Sequence, residues 1–483
     1  MLADRLVGGR QVRWCDRQTD RTLNDRPLST PALPTPRPSA CPGLLRIVPA
    51  RDGGICRVRL PGGRLDAASL RRLAEAAHRH ASGVLEVTNR ANLQVRGVRP
   101  ERADALIRDL LDAGLGPRVA GADDVRNLLL SPAAGLDPQA GMDVRPLAQR
   151  LLQALENEPR FHGLSPKFAL SLDGGETMAM LDHPHDLWLS ALEGPDGQPL
   201  VAFGLAGCVP QAAGDPPALA AFPRAGVVEG VVTLLHLFLD LAESGVAGPD
   251  CTRMRHLLAR LPASALLQRL RERLAVPLLE RAWLATWRRA PAPMDAHIGI
   301  HPQRQAGLCL VGAAPWLGRV DAASLIALAD LAERVGDGSL HFTPWQSLVL
   351  PNVPVAHAAN ALAGLEALGL ATQPGAPATR LVACSGSAGC ARAQADTKAD
   401  ALTLARRWPA GLSLPPLHFS GCPRSCAAAH VAPYTLLAID AGHYDLFRRD
   451  AGHDGFGRRL ARGLDLDAAV TRLAEEARST PHD

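Results

Sequence analysis

The sequence predicts an α+β fold of pseudo-twofold character, in which a small α+β unit followed by a larger α/β segment occurs twice. Three observations carry this. The octapeptide "GRLDAASL" at residues 63–70 returns as "GRVDAASL" at 318–325, an offset of 255 residues. At the same offset, and without gaps, "GVLEVTNRANLQVRGV" lies against "GSLHFTPWQSLVLPNV". Further on, "DVRNLLLSPAAG" from Asp124 matches "ATRLVACSGSAG" from Ala378 at an offset of 254. Fixed-offset self-similarity of this kind marks a repeated architecture.

Each copy begins with an aspartate, Asp66 or Asp321, placed to cap a helix whose apolar residues recur at helical spacing. Two short runs of alternating residues follow and read as strands. The third match sets Arg126 against Arg380 and Leu130 against Cys384. The implied boundaries are a basic, Pro-rich leader over 1–40, a small unit over 41–105 and an α/β segment over 106–290. A second small unit over 291–370 and a second α/β segment over 371–483 complete the pattern. Ligands of pseudo-twofold folds usually lie in clefts between the halves.

At 483 residues the chain exceeds one ordinary core. A net charge of +4 gives no reason to expect nucleic acid as a partner. No uninterrupted apolar run approaches the ~18 residues that span a bilayer, so no membrane is expected. The run "GVVTLLHLFLDLAE" reads as a core helix. The first 40 residues carry Pro27, Pro31, Pro34, Pro36 and Pro38 with four aspartates and no apolar core, unlike a secretory or transit signal. The expected compartment is therefore cytoplasmic, where clustered thiols mean metal or redox chemistry rather than disulfides. Among 52 Lys plus Arg, only Lys167 and Lys398 are lysine. In a chain so drifted toward arginine, a surviving ammonium marks a position where the planar guanidinium fork does not serve.

Four of the ten cysteines gather near the C-terminus. Five residues separate Cys384 from Cys390, 31 lie between Cys390 and Cys422, and three between Cys422 and Cys426. Zinc sites favour shorter, paired gaps. Wide and unequal gaps on Gly/Ser-rich loops suit the cube of a [4Fe–4S] cluster, one thiolate per iron, over a zinc site or a coincidence of buried thiols. Gly386, Gly389 and Gly421 would let the backbone bend around it.

The pattern C-x5-C … C-x3-C, with "SGCPRSC" as its second pair, resembles the nitrite and sulfite reductase haemoprotein family from about Ala40 onward. The resemblance implies two ferredoxin-like half-domains plus two α/β domains, with Cys426 bridging the cluster to a tetrapyrrole iron. It implies anion or carboxylate binding by Arg57 in "CRVRLPGG", by Thr88, Arg90 and Gln94 in "TNRANLQ", and by Arg126 in "VRNLL". It gives Lys167 in "SPKFA" a catalytic role beside Arg57 and Arg126. The family's P-R-K-F-K stretch carries a second lysine; this chain has Ala169 there and Pro166 before Lys167.

That thinned set of cations, with "ACPGLLRIVPARDGGICRVRLPGGRL" and "ACSGSAGCARAQADTKADAL", is similar to one branch of the family, the precorrin-3B synthases of aerobic cobalamin synthesis. This resemblance implies an O2-dependent monooxygenase that hydroxylates precorrin-3A at C20 and closes a γ-lactone. The tetrapyrrole would then be a substrate. It further implies a mononuclear non-haem iron, for which "DHPHD" (Asp182, His183, His185, Asp186) is the closest set of hard ligands, with His430 another candidate; the same residues also read as a polar loop. NADH would be the formal reductant. "GFGRRL" at Gly455 lacks the third glycine and the preceding strand of a dinucleotide site, so a separate NADH-linked reductase would deliver the electrons. The alternative is a sirohaem-dependent nitrite or sulfite reductase.

Overall fold

The computed structural model describes residues 41–479, apart from 247, 249, 429–431, 451 and 452. The leader expected over 1–40 and the candidate ligand His430 lie outside the described residues.

The duplication is reproduced element by element. In the first copy a 3₁₀ turn (Pro61–Gly63) leads into a three-residue strand (Arg64–Asp66) and a helix (Ala67–His80); in the second, Trp316–Gly318, Arg319–Asp321 and Ala322–Val335 do the same. Asp66 and Asp321 each accept a hydrogen bond from the backbone N–H three residues on, at 2.8 Å. Each thus satisfies one orphan donor of a helix start. Gly63 sits at φ +69°, and a Cβ there would meet the Phe342 carbonyl oxygen at 1.9 Å, so only glycine lets the turn close on the other half.

That contact belongs to an exchange of edge strands. Arg64–Asp66, from the first copy, pairs antiparallel with Ser339–Phe342 of the second. Arg319–Asp321, from the second copy, pairs with Val84–Val87 of the first. Each small unit therefore completes its five-stranded sheet with a strand from its partner unit. The two repeat helices pack on one another, and both units share one core that includes Leu70, Leu85, Val95, Leu325, Leu340 and Leu350. Boundaries drawn along the sequence cross this arrangement.

The larger units are also copies. In the first, Leu128–Leu130, Leu170–Asp173 and His185–Glu193 run parallel, and Pro199–Gly207 and Ala220–Pro223 extend the sheet antiparallel. In the second, Leu381–Ala383, Leu417–Ser420 and Tyr434–Asp440 are parallel, followed antiparallel by His443–Arg448 and Arg458–Leu464. Among the described residues one helical segment, Arg224–Glu243, is long and apolar enough to cross a membrane. Its Val231, Leu234, Leu235 and Phe238 are instead buried against Phe161, Phe168 and Phe222.

The carboxyl ends of parallel strands are where open α/β sheets build sites. In the second unit those ends carry Cys384, just after Leu381–Ala383, and Cys422, just after Leu417–Ser420. In the first unit they carry Ser131 and the pair Asp173 and Glu176. Glu176 is fully buried, its Oε2 accepts from the Gly174 N–H at 2.8 Å, and burial plus the neighbouring Asp173 carboxylate raise its pKa to about 8. A carboxyl whose pKa rises on folding contributes stability fully below its unfolded value near 4.5 and loses it as pH climbs through about 8. The unfolding free energy measured by urea titration should fall between pH 5 and pH 9, by an amount on the order of a few kcal/mol. Glu176→Gln, which keeps a neutral group of the same shape, should flatten that slope; an unchanged slope would refute the assignment.

Candidate functional site

The exchanged strands fix two equivalent turns. In the first, Thr88 N–H bonds the Asn92 carbonyl at 2.8 Å and Thr88 Oγ1 accepts from the N–H groups of Arg90 and Asn92. In the second, Thr343 N–H bonds Ser347 at 2.9 Å and Thr343 Oγ1 accepts from Trp345 and Ser347. Ala91 and Gln346, at equivalent positions, both take left-handed backbone, φ 57° and 59°. Such strain persists where surroundings over-determine it, commonly at functional sites. The turns converge: Asn89 Nδ2 and Gln346 Nε2 both donate to the carbonyl of Ala427, at 3.2 and 3.3 Å. Ala427 follows Cys426.

The cysteine loops meet here. Cys384 N–H bonds the Phe419 carbonyl, and Gly421 N–H donates to Cys384 Sγ at 3.2 Å. A Cβ on Gly421 would lie 2.6 Å from Ala393 and 3.3 Å from Cys384 Sγ, and Gly386 takes φ +64°. Cys384, Cys390 and Cys422 are half-buried and Cys426 is exposed. Burial, then Cys422, Cys384 and Cys390, push the Cys426 thiol pKa upward, so the four thiols sense one another. Yet among the described residues no three His, Cys, Asp or Glu side chains gather around a point where one metal ion would sit. Cys384, Cys390 and Cys422 lie within electrostatic reach of Cys426, and the Gly421 N–H aimed at the Cys384 sulfur is the kind of hydrogen bond a cluster thiolate accepts.

Of the cationic residues, Arg57 lies within electrostatic reach of Cys426. Arg57, at the end of strand Gly53–Val58, donates through Nη2 to Gln94 Oε1 at 3.1 Å, while its buried Nε has no partner among the described residues. Burial and the charges of Arg59 and Arg90 push its pKa down to about 10, with Cys41 and Cys426 pulling the other way. Arg90 is also lowered to about 10, by burial and by Arg253, with Asp186 opposing. Arg126 is buried, its Nε and Nη2 lack hydrogen-bond partners, and Glu156 stands 3.6 Å away. Thr88 is buried and spends its hydroxyl on its own turn. Lys167 is exposed, with its backbone N–H on Ser165 Oγ. A cleft of about 470 Å³ opens onto Arg59 and Arg126, and Arg64, Arg145 and His341 also line it.

Arg59, Asn127 and Arg253 escape the sequence reading, and Asp186 figures there as a candidate metal ligand. Arg59, 2% exposed, donates to Asn127 Oδ1 at 3.0 Å and leaves Nη1 and Nη2 without hydrogen bonds. Asn127 then donates to the carbonyls of Pro166 and Phe168 at 2.9 and 3.2 Å, fixing the backbone that bears Lys167. Asp186, 2% exposed, accepts from the Ala169 and Met254 N–H groups and from Arg253 Nε, each at 2.9 Å. Arg59 and Asn127 lie one or two residues from motif positions and share their local geometry; nothing in the sequence points to Arg253.

These contacts also resolve "DHPHD". Asp186 is a structural clamp, and Asp182 accepts from Gln211 at 2.9 Å. His183 and His185 are buried with ring centroids 4.9 Å apart, and burial with the Arg90 charge lowers the His185 pKa to about 3. The four do not form a single-ion site.

Comparison with known proteins agrees with this geometry. The family "Nitrite and sulphite reductase 4Fe-4S domain" matches residues 121–278, and "Nitrite/Sulfite reductase ferredoxin-like half domain" matches 48–113 and 301–368. The first match falls in the α/β unit without the cysteine cluster, the structural copy of the unit that carries it. Chloroplastic ferredoxin–nitrite reductase of Zea mays is 32% identical over 400 residues, covering 78% of this chain and 68% of the relative. Ferredoxin–nitrite reductase of Synechococcus elongatus is 30% identical over 396 residues, covering 79% and 76%. Sulfite reductase [ferredoxin] of Mycobacterium tuberculosis is 29% identical over 450 residues, covering 88% and 76%. The solved structure of the Mycobacterium tuberculosis NirA protein superposes with a TM-score of 0.70 at 26% identity, covering 88% of this chain and 80% of that one.

The expectation of an O2-dependent precorrin-3B synthase, with precorrin-3A as substrate and an NADH-linked reductase as donor, is overturned by these relatives, which are named nitrite and sulfite reductases. That expectation rested on the likeness of "ACPGLLRIVPARDGGICRVRLPGGRL" and "ACSGSAGCARAQADTKADAL" to that branch, together with a pocket thinned at Ala169. The structure shows Ala169 buried with its N–H on Asp186, which Arg253 pairs, while Arg59, uncounted in the sequence, adds a buried guanidinium beside Arg57. With matched segments in both halves and relatives aligned along more than two thirds of each chain, this chain belongs to the nitrite and sulphite reductase family.

Proposed function

We propose that the protein is a sirohaem- and [4Fe–4S]-dependent reductase of nitrite or sulfite, supplied with single electrons by ferredoxin or a donor like it. The observation that carries the reading is a set of buried guanidinium nitrogens left without hydrogen bonds, on Arg57 within electrostatic reach of Cys426 and on Arg59 and Arg126, which line one cleft. Carboxylates 3.5–3.6 Å away offset the charge of Arg59 and Arg126, but buried N–H groups that no acceptor reaches are costly and mark a site that expects anionic acceptors. A multiply carboxylated tetrapyrrole and a small oxyanion are such ligands, and arginine's fork suits both.

Cys384, Cys390, Cys422 and Cys426 would hold the cluster, and Arg90, Gln94 and Thr88 would border the tetrapyrrole. When bound, the paired centres supply electrons singly to a ligand on iron. The protein's own residues do the rest. Arg57 and Arg126 hold the anion by charge. Lys167, with its backbone anchored by Asn127, is an exposed ammonium able to bring protons from solvent. Protons matter because nitrite requires eight with six electrons to reach ammonium, and sulfite seven with six electrons to reach hydrosulfide. Cations with donatable hydrogens therefore stabilise both the anion and the charge that each electron adds.

The visible spectrum of anaerobically purified protein is the first test. A Soret band with red bands beside the broad iron–sulfur shoulder, and oxidation of reduced ferredoxin on adding nitrite or sulfite, are the expected result. A protein lacking the tetrapyrrole bands that consumes neither anion would sink the reading, and the relative rates with the two anions name the substrate. Arg57→Gln should then lower kcat/KM roughly 100-fold, as loss of one charge-stabilising donor does. Arg253→Met should instead cost about 2–4 kcal/mol in urea unfolding by orphaning the buried Asp186 carboxylate; an equally stable variant would show that Asp186 needs no cation.

A further inference from the structure

Of the chain's two lysines, the function proposed above uses Lys167 and leaves Lys398 unexplained. Lys398 lies on helix Thr397–Arg407, is 6% exposed, and is the buried one of the pair. Its Nζ donates to the Leu317 carbonyl at 2.7 Å and stands 3.5 Å from Glu86 Oε1. Leu317 takes left-handed backbone at φ 52°, a strained setting for a branched residue, and the ammonium holds its carbonyl there. Glu86 also accepts from Arg319 Nε at 2.9 Å. One buried ammonium thus joins the first small unit (Glu86), the second (Leu317) and the unit bearing the cysteines.

Its neighbour in sequence reaches the first cysteine. Thr397 Oγ1 donates to the Cys384 carbonyl at 2.8 Å and lies 3.5 Å from Cys384 Sγ. Cys384 is among the charges that act on Lys398. The ammonium sits on the helix whose first residue, Thr397, touches Cys384, whereas its counter-ion Glu86 is carried by strand Val84–Val87 of the first small unit. A second cation, Arg96, is paired with Asp52 at 2.8 Å and donates to the Gly389 carbonyl in the loop between Cys384 and Cys390.

We infer that Lys398 is a tuning charge for the iron–sulfur centre, its buried ammonium holding the reduction potential above what the thiolates alone would set. The inference rests on Cys384, Cys390, Cys422 and Cys426 being the cluster ligands. Its physical basis is that each added electron makes a tetrathiolate cluster more negative, and a fixed cation in a low-dielectric shell favours that state. Second-shell groups of this kind orient ligands and set metal-centre electronics. A lysine serves where an arginine's wide fork would not fit between a helix and a turn carbonyl.

The test is a redox titration of the reduced-cluster EPR signal in full-length, anaerobically purified protein, comparing wild type with Lys398→Met, Glu86→Gln and the double variant. Lys398→Met should shift the potential negative and Glu86→Gln positive, with cluster absorbance per chain unchanged. Opposite signs separate a charge effect from general loosening of the loop. Where Lys398→Met fails to fold because Glu86 keeps only Arg319 as an ion-pair partner among the described residues, the double variant removes that carboxylate too and should still titrate below wild type. A double variant at the wild-type potential, or single variants that shift the same way, would overturn the role of Lys398 alone. A wild-type protein with no cluster signal would overturn the ligand assignment and this inference together.

Discussion

Everything at the site depends on the exchange of two three-residue strands between the small units. Because Arg64–Asp66 completes the second sheet and Arg319–Asp321 the first, neither half can move without breaking the other's ladder. The register of those pairs sets the height of the two turns that reach Ala427. Slipping either strand by one residue would turn its side chains to the opposite face. It would also place the Phe342 carbonyl against a residue other than Gly63. A cofactor gripped from two sides needs this rigidity more than it needs stability.

The cost of the site lies in its charge. Arg57, Arg59, Arg90 and Arg126 crowd together, and the first three depress or are depressed by one another. The protein offsets part of this with Asp123 and Asp124 near Arg59, Glu156 near Arg126 and Asp186 near Arg90. Those carboxylates approach to 3.5–3.6 Å at Arg59 and Arg126, close enough to reduce repulsion but too far for hydrogen bonds. The guanidinium hydrogens thus stay available. Anionic ligands would then stabilise the fold as well as occupy it, since they bind only the state in which the arginines converge.

The fold was largely legible because duplication doubles the signal: an aspartate cap or an alternating strand that is ambiguous once is persuasive at a fixed offset. Strand exchange was not legible, since a run such as "GRLD" specifies a strand but not its partner. At the site, Arg57 and Gln94 were legible because both sit in short motifs on adjacent strands in direct register. Arg253 was invisible. It follows a long helix and joins the pocket only through Asp186, 67 residues earlier, by a fold that no local pattern encodes. Without it, Asp186 reads as a candidate metal ligand rather than as a buried clamp on Arg253.

The two halves also show why one site, not two, is expected of this duplication. At the offset of 255, Arg57, Arg90 and Gln94 correspond to Gly312, Trp345 and Val349. A Cβ on Gly312 would strike the His297 carbonyl at 2.0 Å, and Trp345 stacks on His297 with centroids 4.8 Å apart and planes 4° from parallel. Ala133, Leu136, Met178, Ala296, Leu310 and Val349 close around the Trp345 ring. Where the first copy arranges cations, the second is packed with apolar side chains, and burial pushes His297 down to about 3 so that it stays neutral. A packed aromatic pair in place of two charges stabilises the shared core. The filled copy thereby serves as the rigid wall against which the open copy, with its unmatched guanidiniums, can be held.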